Sequence, residues 1–283
     1  MATEPFAYCL NTSTIKGQAL SLTAEIELAA KVGYQGIEPW IEEIDCFTEA
    51  GGSLRDLART IADQGLTVPS AIGFFEWIVN DDAVRAKGLE EARRNMDLVA
   101  QLGGKLIAAP AFGAQEDHHE KIDLLQAAER YRALFELGRE YGVVPMVELW
   151  GFSKNLNRLG EVICVAVESD QRQASLLLDV YHLHKGGSGF SSLQWVPGES
   201  IGLFHFNDYP AEPPPATVTD AHRVYPGDGV APLTTILRDL HAIGYRGMLS
   251  LELFNESYWQ GEPLDIARTG LDKMRRAVEQ SKL

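Results

Sequence analysis

Cysteine is scarce in this chain. Cys9, Cys46 and Cys164 are odd in number, far apart and without CxxC or ligand-like spacing. A disulfide framework and a cysteine-based metal cluster are both unexpected, and a reducing, cytoplasmic compartment fits. Basic residues are also in deficit: 25 Lys and Arg stand against 40 Asp and Glu, a formal net charge of −15. Such a chain repels a polyanion, because nucleic-acid binding draws on several Lys or Arg contacts to phosphates. Nucleic acid is therefore not an expected partner. Long apolar runs are missing too. No stretch approaches the roughly 18 apolar residues that span a bilayer, and Met1 to Phe6 carries an acid and no apolar segment, so neither membrane insertion nor secretion is expected. No glycine-rich phosphate cradle is recognisable, which leaves a phosphate on any ligand unsupported.

What is present describes one ordinary globular body. The 283 residues are 45% hydrophobic and 23% charged, ample for a core, and an α/β barrel routinely occupies about 250 residues as one unit. A single domain over residues 1–283 is the expectation, with the oligomeric state open and a homo-oligomer compatible. The chain ends in Ser281-Lys282-Leu283, which in a eukaryotic cell reads as a peroxisomal address if the tail is exposed.

Short apolar runs alternate with longer segments of helical period, the signature of a parallel-sheet architecture. Strands are expected near residues 6–10, 36–40, 67–73, 105–111, 143–149, 174–180, 201–207 and 247–253. Leu233, Ile236, Leu237, Leu240 and Ile243 mark one amphipathic helix, and Leu264, Ala267, Leu271, Met274 and Val278 another. Gly103 and Gly244 stand where helix-ending glycines belong. Eight such strand–helix units predict a (β/α)8 TIM barrel. Pro210 to Thr219, with three consecutive prolines, reads as a stiff loop after the seventh strand.

The chemistry lies in how four of the runs end. VVPMVELW, ASLLLDVYH, IGLFHFND and GMLSLELFN are interrupted near their ends by Glu148, Asp179, His205 and Glu252. Any one of these alone reads as a helix cap, an ion-pair partner or a hydrogen-bonded core residue. Four buried polar groups on successive strands need a shared compensating partner, and a cation is the simplest. Alternation puts Met146 with Glu148, Leu177 with Asp179, Leu203 with His205 and Ser250 with Glu252, so all four meet at the C-terminal mouth if those faces point inward. Three carboxylates and one imidazole suit one divalent ion, Mn²⁺ first, then Mg²⁺, Co²⁺ or Zn²⁺.

Other residues near the strand ends are candidates for substrate contact. Arg223, ahead of Pro226-Gly227-Asp228-Gly229, could face an oxyanion, and His182 leaves the sixth strand at its rim. Glu38 in GIEPW reads as a second-layer or substrate-contacting acid, and Lys154 and Lys185 as weaker contacts for an anionic group. Trp40, Phe74, Phe75, Trp77, Trp150 and Phe254 lie at or just after strand ends, where aromatic faces could stack on a ring-shaped ligand, although each is also a plausible core residue.

With these residues in view, the set Glu148, Asp179, His205 and Glu252, Asp179-Val180-Tyr181-His182, and the RVYPGDG segment from Arg223 resembles the xylose-isomerase-like barrel family over essentially the whole chain. The pattern is most similar to ketose 3-epimerases and inosose isomerases. The resemblance implies a sugar or cyclitol isomerase or epimerase in which Glu148 and Glu252 are also the acid/base pair and His182 and Arg223 contact substrate oxygens. Lys154 departs from it, standing where ketose 3-epimerases often carry a second Glu, and the loop from His205 to Arg223 is longer. Relatives that dehydrate keto-cyclitols or dehydroshikimate share the barrel and metal, but their third ligand resembles Gln more often than His205. Three-zinc endonucleases of the same superfamily need early-strand histidines, and TVPSAIG and KLIAAPA supply none. A non-catalytic sugar-binding barrel is the remaining alternative, though the ligands look intact.

Overall fold

The structure is a computed structural model that describes residues 4–283. The first three residues of the expected domain lie outside the described residues. The strands are β1 (Ala7–Asn11), β2 (Gly36–Glu38), β3 (Ser70–Ala71), β4 (Leu106–Ala109), β5 (Val144–Glu148), β6 (Ser175–Asp179), β7 (Ile201–His205) and β8 (Met248–Leu251). All pair in parallel in the order β2-β1-β8-β7-β6-β5-β4-β3. Isolated parallel bridges Gly36↔Thr67 and Trp40↔Ile72 join β2 to β3. The result is a nearly closed single-domain TIM barrel, its strands alternating with helices as expected.

Three strands are shorter than their apolar runs, and proline is the reason. Pro39 follows β2, Pro69 precedes β3 and Pro110 follows β4; with no N–H to donate, proline ends a ladder. Helices fill the connections: α1 (Leu22–Val32), α2 (Ile41–Glu49), α3 (Leu54–Asp63), α4 (Asp82–Gln101), α5 (Leu124–Tyr141), α6 (Leu159–Glu168), α7 (Val180–Gly186), α8 (Leu233–Ala242) and α9 (Pro263–Ser281). Ser21, Ser53, Asp81 and Asp123 cap α1, α3, α4 and α5 by accepting early backbone N–H groups. Gly103 and Gly244, just past α4 and α8, have φ of 82° and 85°, a region that residues with a Cβ rarely adopt.

Two apolar bodies result. Most of the core lies between the sheet and its helices. A smaller one, Ile72, Ala108, Met146, Leu177 and Leu203, fills the barrel bore. Met146, Leu177 and Leu203 share strand faces with Glu148, Asp179 and His205, so the inward parity of those strands holds. The bore is packed with apolar side chains, and the polar residues one step further along each strand stand at its C-terminal mouth. At the chain's end Ser281 is buried, with its carbonyl accepting from Arg238 Nε at 2.9 Å, while Lys282 and Leu283 are exposed. The serine is thus packed into the helix rather than presented as free tail. Among the described residues, no helix is long and apolar enough to cross a membrane.

Candidate active site

Asp179 ends β6 and starts α7, and its two oxygens divide the work. Oδ1 accepts the backbone N–H of His182 at 3.0 Å, capping the helix. Oδ2 faces the barrel axis, where Asn207 Nδ2 and Arg223 Nη1 donate to it at 3.0 and 2.8 Å. Cap and candidate ligand are therefore the same residue.

His205 is fully buried at the end of β7, between two acids. Its Nε2 lies 3.0 Å from Glu38 Oε2, and its Nδ1 lies 3.0 Å from Glu252 Oε2 and 3.7 Å from Asp179 Oδ2. Burial alone would lower the imidazole pKa, but Glu252 and Glu38 hold it well above its ordinary value. Asp179, His205 and Glu252 bring one ligand atom each within 4.8 Å of one another. The Nδ1 nitrogen has no hydrogen-bond partner in spite of its neighbours. A buried imidazole nitrogen without a partner, facing two buried carboxylates, is a donor set that fits a divalent ion.

Glu148 departs from the expected four-ligand set. It lines the same pocket, but the cluster contains only the other three. Arg223 draws Asp179 and Glu252 together, whereas among the described residues no cation bridges to Glu148, whose Oε2 is buried without a partner. Burial, reinforced by the charge of Glu252, pushes the Glu148 carboxyl up to about 8. Burial would raise Glu252 as well, yet His205 and Arg223 hold it down at about 2. Two carboxyls on one pocket are thus separated, one favouring the acid and the other the anion, the pattern of an acid/base pair.

Arg223 is 1% exposed and fully engaged. Nη1 donates to Asp179 Oδ2 at 2.8 Å and to Glu252 Oε2 at 2.7 Å. Asp220 Oδ1 accepts from Nη2 at 2.6 Å and from Nε at 3.1 Å, and Nη2 faces His182 Nε2 at 3.0 Å. The guanidinium also lies over the rings of Tyr181 and Phe254. Where the sequence suggested a clamp for a substrate oxyanion, the folded chain has Arg223 bonded to its own carboxylates. His182 is buried, and desolvation, helped by the Arg223 charge, lowers its pKa to about 4.

The remaining candidates divide. Trp40, Phe74, Trp150 and Phe254 line the pocket at the mouth, whereas Phe75 and Trp77 are core residues. Of the two expectations for Glu38, the structure places it behind His205 and not at the pocket surface. It is wholly excluded from solvent, and its Oε2 accepts from Asn11 Nδ2 and Ser250 Oγ at 2.9 and 2.8 Å as well as meeting His205. Lys154 and Lys185 are not among the residues that line this pocket. Lys185 Nζ donates to the carbonyls of Val218 and Ala216, tying α7 to the proline-rich loop.

Several residues escaped sequence reasoning. Asn11 bridges Glu38 and Glu252, donating at 2.9 and 3.3 Å. Asp208 accepts from the N–H groups of Gly227, Gly229 and Ala231, holding the PGDG turn behind Arg223. Asn11 ends β1 as Glu148, Asp179 and His205 end β5, β6 and β7, a signal that was available.

Residues 26–277 match the family described as xylose isomerase-like TIM barrel. The chain belongs to that family. Its relatives include an inosose isomerase of Halalkalibacterium halodurans, 31% identical over 274 residues covering 93% of each chain. A 3-dehydroshikimate dehydratase of Pseudomonas putida is 27% identical over 268 residues, 93% of this chain but 41% of that protein. Among solved structures, an IolI protein with a bound zinc atom superposes with a TM-score of 0.89 at 23% identity, covering 97% of this chain and 99% of that one.

Proposed function

We propose that this protein is a metal-dependent isomerase or epimerase of a keto-sugar or keto-cyclitol, acting by proton transfer at a carbon next to a carbonyl. The observation that carries the reading is the arrival of Glu148 from β5 and Glu252 from beyond β8 in one pocket, beside the Asp179–His205–Glu252 cluster. The isomerase relative and the family support it. A divalent ion held by Asp179, His205 and Glu252, with Glu148 within the same pocket, would polarise the carbonyl and its neighbouring hydroxyl and acidify the C–H between them; Mn²⁺ is the first expectation and Mg²⁺, Co²⁺ or Zn²⁺ the alternatives.

The chain's own residues then supply the proton traffic. One glutamate removes the carbon-bound proton and the other returns one. Return to the opposite face of the same carbon gives an epimer, and return to the neighbouring carbon gives an aldose–ketose isomer. His182 is held neutral and lines the pocket, where it can hydrogen-bond a hydroxyl. The aromatic walls exclude water while the proton is in transit. The partner is a small molecule, and three free cysteines, one of them exposed, support a reducing, cytoplasmic setting.

A second reading, elimination of water after the same proton abstraction, is favoured by the dehydratase relative. One experiment separates them. The protein, loaded with Mn²⁺, is incubated with ketoses, aldoses, inososes and dehydroshikimate in D₂O and followed by NMR. Deuterium entering next to a carbonyl without change of formula supports the isomerase reading. Loss of water from the substrate supports the lyase, and no exchange with any of them overturns both.

A further inference from the structure

The pocket has two zones of opposite character. Its polar side is made by Glu148, His182, Arg223 and Glu252, and its apolar side by aromatics on several different connections. Trp40, Phe74, Trp150 and Phe254 stand at strand ends, and Phe152 and Trp259 come from the loops beyond. They pack edge to face or stacked on one another, as in Trp40 on Phe74, Phe74 on Trp150 and Trp150 on Phe152, with centroids 5.2 to 5.5 Å apart.

Two of the indoles are held in place. Trp40 Nε1 donates to Asn11 Oδ1 at 3.1 Å, and Trp259 Nε1 donates to the Ser13 carbonyl at 3.1 Å. Trp259 also packs against Gly17, where a Cβ would come within 2.1 Å of the tryptophan Cβ. Rigid aromatic faces bind at low entropic cost. Such faces take the C–H side of a sugar ring or the face of an aromatic ring, and six of them make more wall than one sugar ring covers.

Charge narrows the ligand further. Among the described residues Arg223 is the one cation lining the pocket, and all five of its N–H directions are directed at Asp179, Glu252, Asp220 or His182. Lys16 lies over the Trp40 ring and near Glu42 but lines a different cavity. Glu148, Asp220, Glu252 and Glu256 complete an acidic lining. With the divalent ion of the proposed site bound, its charge and that of Arg223 still stand against Asp179, Asp220, Glu252 and Glu256, so a phosphate or carboxylate entering here meets no excess of positive charge.

We infer that the substrate carries no anionic group and presents an apolar, planar substituent to the aromatic wall, as the aryl glycoside of a keto-sugar does, while its keto-sugar or keto-cyclitol ring occupies the polar side. This inference rests on the sugar reading of the site and specifies its substrate class. The cavity of about 370 Å³ falls within the range of sites that enclose ligands larger than a single ring.

Calorimetric titration of the Mn²⁺-loaded protein with phenyl β-D-glucopyranoside, methyl β-D-glucopyranoside and D-glucose 6-phosphate tests it. The phenyl glycoside is expected to bind at least tenfold tighter than the methyl glycoside, and the phosphate not measurably. Trp259→Ala should reduce the phenyl preference at least threefold without weakening the methyl glycoside. Equal affinities, binding of neither glycoside, or tightest binding by the phosphate overturns the inference. Deuterium exchange into an inosose, run alongside, separates its fate from that of the isomerase reading. Exchange without phenyl preference sinks only the substrate class, and phenyl preference without exchange into any keto-sugar sinks only the activity.

Discussion

Glu38 Oε2 meets Nε2 of His205 at 3.0 Å, with both side chains fully buried. That contact fixes which nitrogen faces the carboxylate cluster: with Nε2 directed at Glu38, Nδ1 is left toward Asp179 and Glu252. A ligating histidine commonly donates its other N–H to a carboxylate, and loss of such a partner typically weakens metal affinity 10- to 100-fold.

Glu38→Gln is therefore expected to weaken binding of Mn²⁺ or Zn²⁺ by about 10- to 100-fold while the fold persists. Metal titration with circular dichroism as a control measures it. Unchanged affinity in a folded variant would remove Glu38 from any role in orienting His205.

Arg223 is the positive counterpart of three acids, and its removal leaves Asp179, Asp220 and Glu252 without it. Breaking a buried ion pair by deleting one partner costs about 3–5 kcal/mol. Arg223→Ala is expected to lose stability on that scale after chelation. A divalent ion replaces part of the missing charge, so saturating Mn²⁺ should raise the Tm of the variant more than that of the wild type. Arg223→Lys should rescue only partly, because an ammonium cannot reproduce the planar fork. Equal metal-induced shifts in wild type and Arg223→Ala would mean that metal and guanidinium do not share these carboxylates.

How much of this site was legible depends on what alternation can report. Period two places Met146 with Glu148 and Leu203 with His205 on one face, and the structure puts those faces inward. It says nothing of depth, which the stagger of neighbouring strands decides. Glu38, Glu148, Asp179 and His205 end strands and Glu252 directly follows one, yet Glu38 lies against the far nitrogen of His205 and out of reach of the pocket. The contacts of Asn11 with Glu38 and Glu252 span 27 and 241 residues of sequence, and those of Asp208 with the PGDG turn depend on how two loops fold back on each other. Local pattern carries no record of either. The overlong expectations for β2, β3 and β4 could have been corrected by weighting Pro39, Pro69 and Pro110.

Away from the pocket, Glu25 at the start of α1 is buried, with Oε2 lacking a partner. Burial, then the charge of Glu43, raises its pKa from 4.5 to about 9, against a lowering by Lys16. The folded state therefore binds more protons than the unfolded state between those values, and unfolding free energy falls as pH rises. The contribution is whole below about pH 4.5 and lost by about pH 9, with a slope of up to ~1.4 kcal/mol per pH unit. Glu25→Gln should flatten the decline of Tm between pH 6 and 9 and be the more stable protein at pH 9. Parallel pH profiles for the two proteins would show that Glu25 is ionised in the fold.

The proposed mechanism rests on Glu148 and Glu252, brought to one pocket from β5 and from just past β8, with β6 and β7 between them. Glu148 has a buried oxygen with no partner and a carboxyl pushed up to about 8, whereas Glu252 is ion-paired and held at about 2. Glu148 is outside the three-residue cluster, so Glu148→Gln should retain metal while losing turnover by about 10²- to 10⁴-fold, the range of a general acid or base. Glu252→Gln removes a candidate ligand charge together with a base, and should lose both metal affinity and turnover. In D₂O, a Glu148→Gln protein that still exchanges the substrate's carbon-bound hydrogen retains its other base at Glu252. Exchange lost in Glu148→Gln but kept in metal-saturated Glu252→Gln makes Glu148 the base that abstracts. Wild-type turnover with no solvent deuterium in the product would rule out the two-glutamate transfer, since the glutamate that returns a hydrogen carries one acquired from solvent before the substrate is bound.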